Sequence, residues 1–188
     1  MTQEHGYRSP DPKAQENQTV YHELLGSIER TMDPNSNTVL VVDDSRLVRK
    51  AVTKSIAARD KHVVVIEAED GLDGLEKLAH IREQYNRDPV FILTDLEMPV
   101  MDGWAFIEAL RKDYTSRGLA QGIPIIVLSS SSGEKGFLLS KKSVHGSKAH
   151  YEPIVTVAKE DCLKPDKYDG KGDRGLSSWL THMLRKAQ

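Results

Sequence analysis

Five residues in this chain carry chemistry by type and by place. Asp43 and Asp44 close the apolar run Val39-Leu40-Val41-Val42, and Asp95 closes a second run. Ser129 closes a third, and Lys164 follows the apolar pair Cys162-Leu163. Taken singly, each has an ordinary explanation. An Asp-Asp pair is a common turn and helix cap, a serine run is plain loop, and Lys-Pro carries little information. Together they describe three carboxylates, one hydroxyl and one ammonium. Three carboxylates brought into one crevice repel one another, more strongly when buried. A divalent cation relieves that repulsion, and magnesium suits an all-oxygen site with one or two carboxylates and several waters. Lys164 adds a compact positive charge. A cation, a lysine and a hydroxyl around one carboxylate suit phosphoryl transfer, in which charge collects on the equatorial oxygens of the moving group. Asp95 is then the nucleophile and an aspartyl phosphate the product.

Those residues converge only if the elements beneath them are parallel strands. Short β-branched runs at 39–42, 63–66, 90–93 and 123–128 read as strands buried on both faces. Helical periodicity fits 45–58, with Ser45 as cap, and also 71–82, 104–111 and 176–186. The last strand is expected at Cys162-Leu163. Alternating strands and helices imply an α/β fold, a doubly wound parallel sheet with helices on both faces. In such sheets ligands bind at the carboxyl ends of the strands, where the five residues stand. Residues 1–18 are polar and proline-bearing and read as a disordered tail. Residues 19–37 read as a short amphipathic helix and a linker, and 38–188 as the domain, with an insertion at 133–158.

The bulk numbers narrow the classes. The chain has 188 residues, 26 Lys and Arg against 28 Asp and Glu, and one cysteine. Near-neutral charge gives no pull towards nucleic acid or a lipid surface. A single cysteine excludes an internal disulfide and a multi-cysteine metal site. No apolar run reaches the roughly 18 residues that a membrane span requires, and no secretory signal is visible. A cytoplasmic protein with no direct nucleic-acid or membrane contact is expected.

The stretches 39–45 (VLVVDDS), 94–103 (TDLEMPVMDG), 123–130 (IPIIVLSS) and 163–165 (LKP) closely resemble the response-regulator receiver family of two-component signalling. The resemblance covers roughly 38–186. It implies a flavodoxin-like five-stranded sheet. It also implies that Asp95 accepts a phosphoryl group from a histidine kinase or a histidine phosphotransfer protein. By the same resemblance Asp44 binds Mg2+ directly, Asp43 through water and Glu97 through its backbone carbonyl. Ser129 is the switch hydroxyl and Lys164 the phosphate-binding lysine. Such a protein is not an enzyme beyond its own phosphorylation and dephosphorylation. As no output module follows the last helix, a stand-alone regulator acting on an unknown downstream protein is expected. Glu97 and Ser131 flank the line of attack on the phosphate and are expected to tune its lifetime.

Two features depart from the family pattern. The position three before Lys164 is Asp161 where the family usually has an aromatic residue. The segment from Ser129 to Lys164 is also about a dozen residues longer than usual, with lysines at 135, 141, 142 and 148. That insertion reads as a solvated loop or a docking surface. The N-terminal helix could cover its own domain or pair with a second copy to form a homodimer. Two other functions remain open on residues alone. One is a degenerate receiver serving as a phosphate-independent docking scaffold. The other is a haloacid-dehalogenase-type phosphohydrolase, although there the nucleophile precedes the acidic pair.

Overall fold

The computed structural model describes residues 37–58, 60–119, 122–129 and 154–159. The elements run β1 Asn37–Val42, α1 Arg46–Ala57, β2 Val63–Ala68, α2 Gly71–Tyr85, β3 Phe91–Asp95, α3 Gly103–Ser116, β4 Ile125–Ser129 and β5 Ile154–Ala158. The strands form one sheet in the order β2-β1-β3-β4-β5. Every neighbouring pair is parallel.

The helix starts are written in their caps. Ser45 Oγ accepts from Val48 N at 3.4 Å and opens α1. Asp70 accepts from both Leu72 N and Asp73 N, at 2.8 and 3.1 Å, and opens α2. Asp102 accepts from Ala105 N at 2.8 Å and opens α3. Each satisfies helix N–H groups that lack an internal partner. At the far end of α2, Asn86 takes a left-handed conformation (φ 53°) that asparagine tolerates better than most residues.

Side chains alternate across a strand, so the sheet has two apolar faces. Leu40, Val42, Ile92, Ile125 and Val127 pack with Leu78 and Ile81 of α2 and Phe106 and Leu110 of α3. Val39, Val41 and Leu93 point the other way and are fully buried. On that side α1 packs against β1 and β2, burying Val48, Val52 and Ile56, which recur every four residues along the helix. The described helices therefore cover both faces.

Three local expectations change. Asn37 is not linker but the first residue of β1, paired with Val63. Strand β2 is not buried on both faces. As the edge strand, flanked by β1 alone, it leaves Val64 42% exposed. The fifth strand is Ile154–Ala158, the β-branched end of the stretch read as insertion. The register pairs it with β4 from Ile125↔Ile154 to Ser129↔Ala158. The expected tail, N-terminal helix, final helix and the Cys162-Leu163 strand lie outside the described residues.

Candidate phosphoacceptor site

The carboxyl ends of β1, β3, β4 and β5 lie side by side and carry the site. Strand β1 runs directly into Asp43 and Asp44, while Asp95 is the last residue of β3. Carboxylate oxygens of Asp43, Asp44 and Asp95 lie within 4.8 Å of one another. Asp43 is 0% and Asp95 3% exposed, whereas Asp44 faces solvent. The burial strings of β1 and β3 explain this, since a strand covered on both faces delivers its last residue into the protein.

Backbone amides hold the two buried carboxylates. Asp43 Oδ1 accepts from Ser45 N at 2.8 Å, and Asp95 Oδ1 accepts from Leu96 N at 2.7 Å. Thr94 Oγ donates to the Asp95 carbonyl at 2.9 Å and fixes the end of β3. Gly103 adds a steric requirement. It donates to the Leu96 carbonyl at 3.0 Å, and a Cβ at this position would stand 2.0 Å from the Asp95 carbonyl oxygen. Glycine is needed here because α3 comes close to the chain at Asp95. The left-handed residue of that loop is Val100 (φ 60°), a rare conformation for a β-branched side chain.

The ammonium at the carboxylates belongs to Lys159. Its Nζ lies 2.6 Å from Asp95 Oδ2 and 3.0 Å from Asp43 Oδ2. Lys164, the lysine singled out in the sequence, lies outside the described residues. Lys159 was legible another way. It directly follows Ile-Val-Thr-Val-Ala, the most β-branched run in the second half of the chain, whereas Cys162-Leu163 is a short strand candidate. With Lys159 in this place, the position three earlier is Thr156, again not aromatic. Ser129 ends β4 one residue beyond Leu128, the register partner of Asp95, and is paired with Ala158, which precedes Lys159. Its backbone thus stands between those of Asp95 and Lys159 in the order of strands. Glu97 is exposed on the loop after β3, and Ser131 lies outside the described residues.

Charge and burial are in tension here. Burial pushes the Asp43 carboxyl above the ordinary carboxylate range, although Lys159 and the Ser45 amide act in the other direction. For Lys159, burial works against the charged form, but Asp95 and Asp43 outweigh it and hold the ammonium more firmly protonated than a free lysine. Asp43 Oδ2 has the Lys159 charge beside it at 3.0 Å but no aligned hydrogen bond among the described residues. Among the described residues, three carboxylates meet one ammonium at this point, an excess of negative charge. A buried carboxylate oxygen without a hydrogen-bond donor, in an all-oxygen set with that charge, fits a small hard divalent cation.

A parallel 2-1-3-4-5 sheet with an acid pair after β1, an aspartate after β3 and a lysine after β5 defines a receiver. The chain belongs to the response regulator receiver domain family, whose family model matches residues 39–140, more than half of the chain. That match stops before both Lys159 and Lys164. A protein-glutamate methylesterase/protein-glutamine glutaminase of Syntrophus aciditrophicus (strain SB) is 35% identical over 149 residues, 79% of this chain and 36% of the relative. The sensor histidine kinase CheAY of Helicobacter pylori (strain ATCC 700392 / 26695) is 34% identical over 110 residues, 57% of this chain and 12% of the kinase. The chain thus spans about a third of the first relative and far less of the second. Among solved structures, a two component response regulator from Cytophaga hutchinsonii shares the fold. Its TM-score is 0.55 at 19% identity, covering 81% of this chain and 97% of that one.

Proposed function

We propose that this protein is a stand-alone receiver that takes a phosphoryl group onto Asp95 from a phosphohistidine on a histidine kinase or phosphotransfer protein, in a Mg2+-dependent reaction. The observation that carries the reading is the meeting of three carboxylates and one ammonium at the ends of β1, β3 and β5, with Asp95 in contact with the lysine. Asp44 and Asp95 would hold the cation through their carboxylates, Glu97 through its carbonyl and Asp43 through water. The cation, when bound, supplies charge stabilisation for the transferred group.

The remaining roles fall to the chain's own side chains. Asp95 Oδ2 attacks phosphorus, the bond to the donor imidazole breaks, and the imidazole leaves with the bonding pair. Lys159, now paired with Asp95 and Asp43, turns to a phosphoryl oxygen; its raised proton affinity keeps it charged throughout. Ser129, at the end of β4, would be the switch hydroxyl that responds to the phosphoryl group. The distances support Lys159 in the phosphate-binding role first considered for Lys164. The output is a phosphorylation-dependent contact with another protein, in the cytoplasm, without direct binding of nucleic acid.

The test is phosphotransfer from a phosphorylated histidine kinase to the full chain. Label should reach the chain only with Mg2+ present, and Lys159→Ala should slow the transfer at least tenfold while Lys164→Ala leaves it near wild type. The reverse ranking of the two lysines would return the role to Lys164. Transfer that persists in EDTA would contradict the metal reading.

A further inference from the structure

The loop bearing the acid pair has a support that the phosphoacceptor chemistry does not use. Arg49, in the first turn of α1, reaches back beneath it. Its Nη1 donates to the carbonyl of Asp43 at 2.6 Å and to that of Asp44 at 3.3 Å. The same guanidinium donates through Nε to Glu67 Oε2 at 3.2 Å. Glu67 stands on β2, and its other oxygen accepts from Thr53 Oγ, one helical turn beyond Arg49, at 3.0 Å. The Arg49 side chain is only 14% exposed. One guanidinium therefore ties two consecutive carbonyls of the β1–α1 loop to a carboxylate on the neighbouring strand, and a hydroxyl holds that carboxylate.

We infer that Arg49 is a positioning residue for the divalent cation: braced by Glu67 and Thr53, it fixes the Asp43–Asp44 backbone so that both carboxylates face Asp95. The inference rests on the metal reading of that site. Asp44 makes the need plain. Its side chain faces solvent, so packing does not orient it, and the hydrogen bond from Arg49 to its carbonyl adds to the constraint that the Ser45 N–Asp43 Oδ1 bond places on its backbone. Planar guanidinium geometry suits this task because one group can serve several acceptors in fixed directions.

Coulomb's law and the brace predict opposite signs, which makes the inference sharp. Arg49 is a positive charge beneath a cation site, so its removal should tighten cation binding if charge alone matters. If its role is to position the loop, removal weakens binding, as loss of outer-shell support generally does.

The experiment is calorimetric titration of the full chain with MgCl2, alongside thermal melts in EDTA, for wild type, Arg49→Gln, Arg49→Lys and Thr53→Val. The expected result is about tenfold weaker binding for Arg49→Gln. Arg49→Lys, which keeps the charge but not the fork, should fall between Arg49→Gln and wild type. Thr53→Val, which changes no charge, should weaken binding by a smaller factor in the same direction. Cooperative melts in EDTA would show that these losses are not unfolding; if Arg49→Gln does not fold, Thr53→Val decides. Binding by Arg49→Gln, or by Thr53→Val in that case, as tight as wild type or tighter overturns the brace. A folded wild type that binds no Mg2+ overturns the metal reading itself, and the brace with it.

Discussion

Asp43 is a carboxylate with no exposed surface, held beside a second buried carboxylate and the ammonium of Lys159. Its raised proton affinity carries a sign for stability. The contribution is complete below the ordinary carboxylate range and is lost as pH rises through the folded-state value. At neutral pH, without a cation, ionised Asp43 therefore works against folding. Asp43→Asn keeps the shape and removes the charge, so it should raise the melting temperature in EDTA by roughly 2–5 °C. It should also abolish most of the stabilisation that Mg2+ gives the wild type. A melting temperature that falls in EDTA would mean that the Lys159 contact outweighs burial. The acid pair and Asp95 were readable because each ends an apolar run, the signature of a strand delivering its last residue to a sheet edge. Lys159 was not singled out, because a Lys-Pro dipeptide five residues later carries a stronger local signal than the β-branched run that precedes Lys159; pairing of that run with β4 brings Lys159 to the carboxylates.

The elements divide into an end that does chemistry and an end that holds the helices in place. Away from the site, Arg82 near the end of α2 donates to Asp88 Oδ1 at 2.6 Å and to Asp113 Oδ2 of α3 at 2.7 Å. Tyr114 donates its hydroxyl to Asp88 Oδ2 at 2.9 Å, and Arg117 approaches Asp113 at 3.4 Å. Both carboxylates hold the Arg82 guanidinium well above its ordinary proton affinity despite partial burial, so it carries its charge at any working pH. Arg82→Leu would leave Asp88 and Asp113 short of their main cation beside a buried tyrosine. Since the group is a quarter exposed, the expected loss is about 1–2 kcal/mol of stability, with Mg2+ affinity unchanged. A change in Mg2+ affinity without a change in melting temperature would show instead that this end of the sheet communicates with the site. Helix positions were legible from caps and periodicity, each start falling within a residue or so of its expected place. The half-exposed β2 was not, because a run of four β-branched residues looks the same on a sheet's edge as in its centre.

At the scale of the molecule, the strand order decides the function. With β1 flanked by β2 and β3, and β4 and β5 beyond, the carboxyl ends of β1, β3, β4 and β5 become neighbours, although Asp43 and Lys159 are far apart in sequence. Alternation of strand and helix was enough to expect a doubly wound sheet. The most specific stretch, residues 94–103, lies wholly within the family match, whereas the lysine lies beyond it and is placed by structure alone. Asp95, Asp43 and Lys159 form a closed triangle, and in the proposed reaction the incoming phosphoryl group would draw Lys159 away from Asp95.

The central claim is that Asp95 is the acceptor. It is tested most directly by intact mass of the full chain after incubation with a small-molecule phosphodonor and Mg2+, for wild type and Asp95→Asn. The account predicts one added phosphoryl group on wild type, absent when Mg2+ is chelated and absent in Asp95→Asn. No added mass on a folded wild type, under conditions that modify another receiver, or an equal gain in Asp95→Asn, would contradict it.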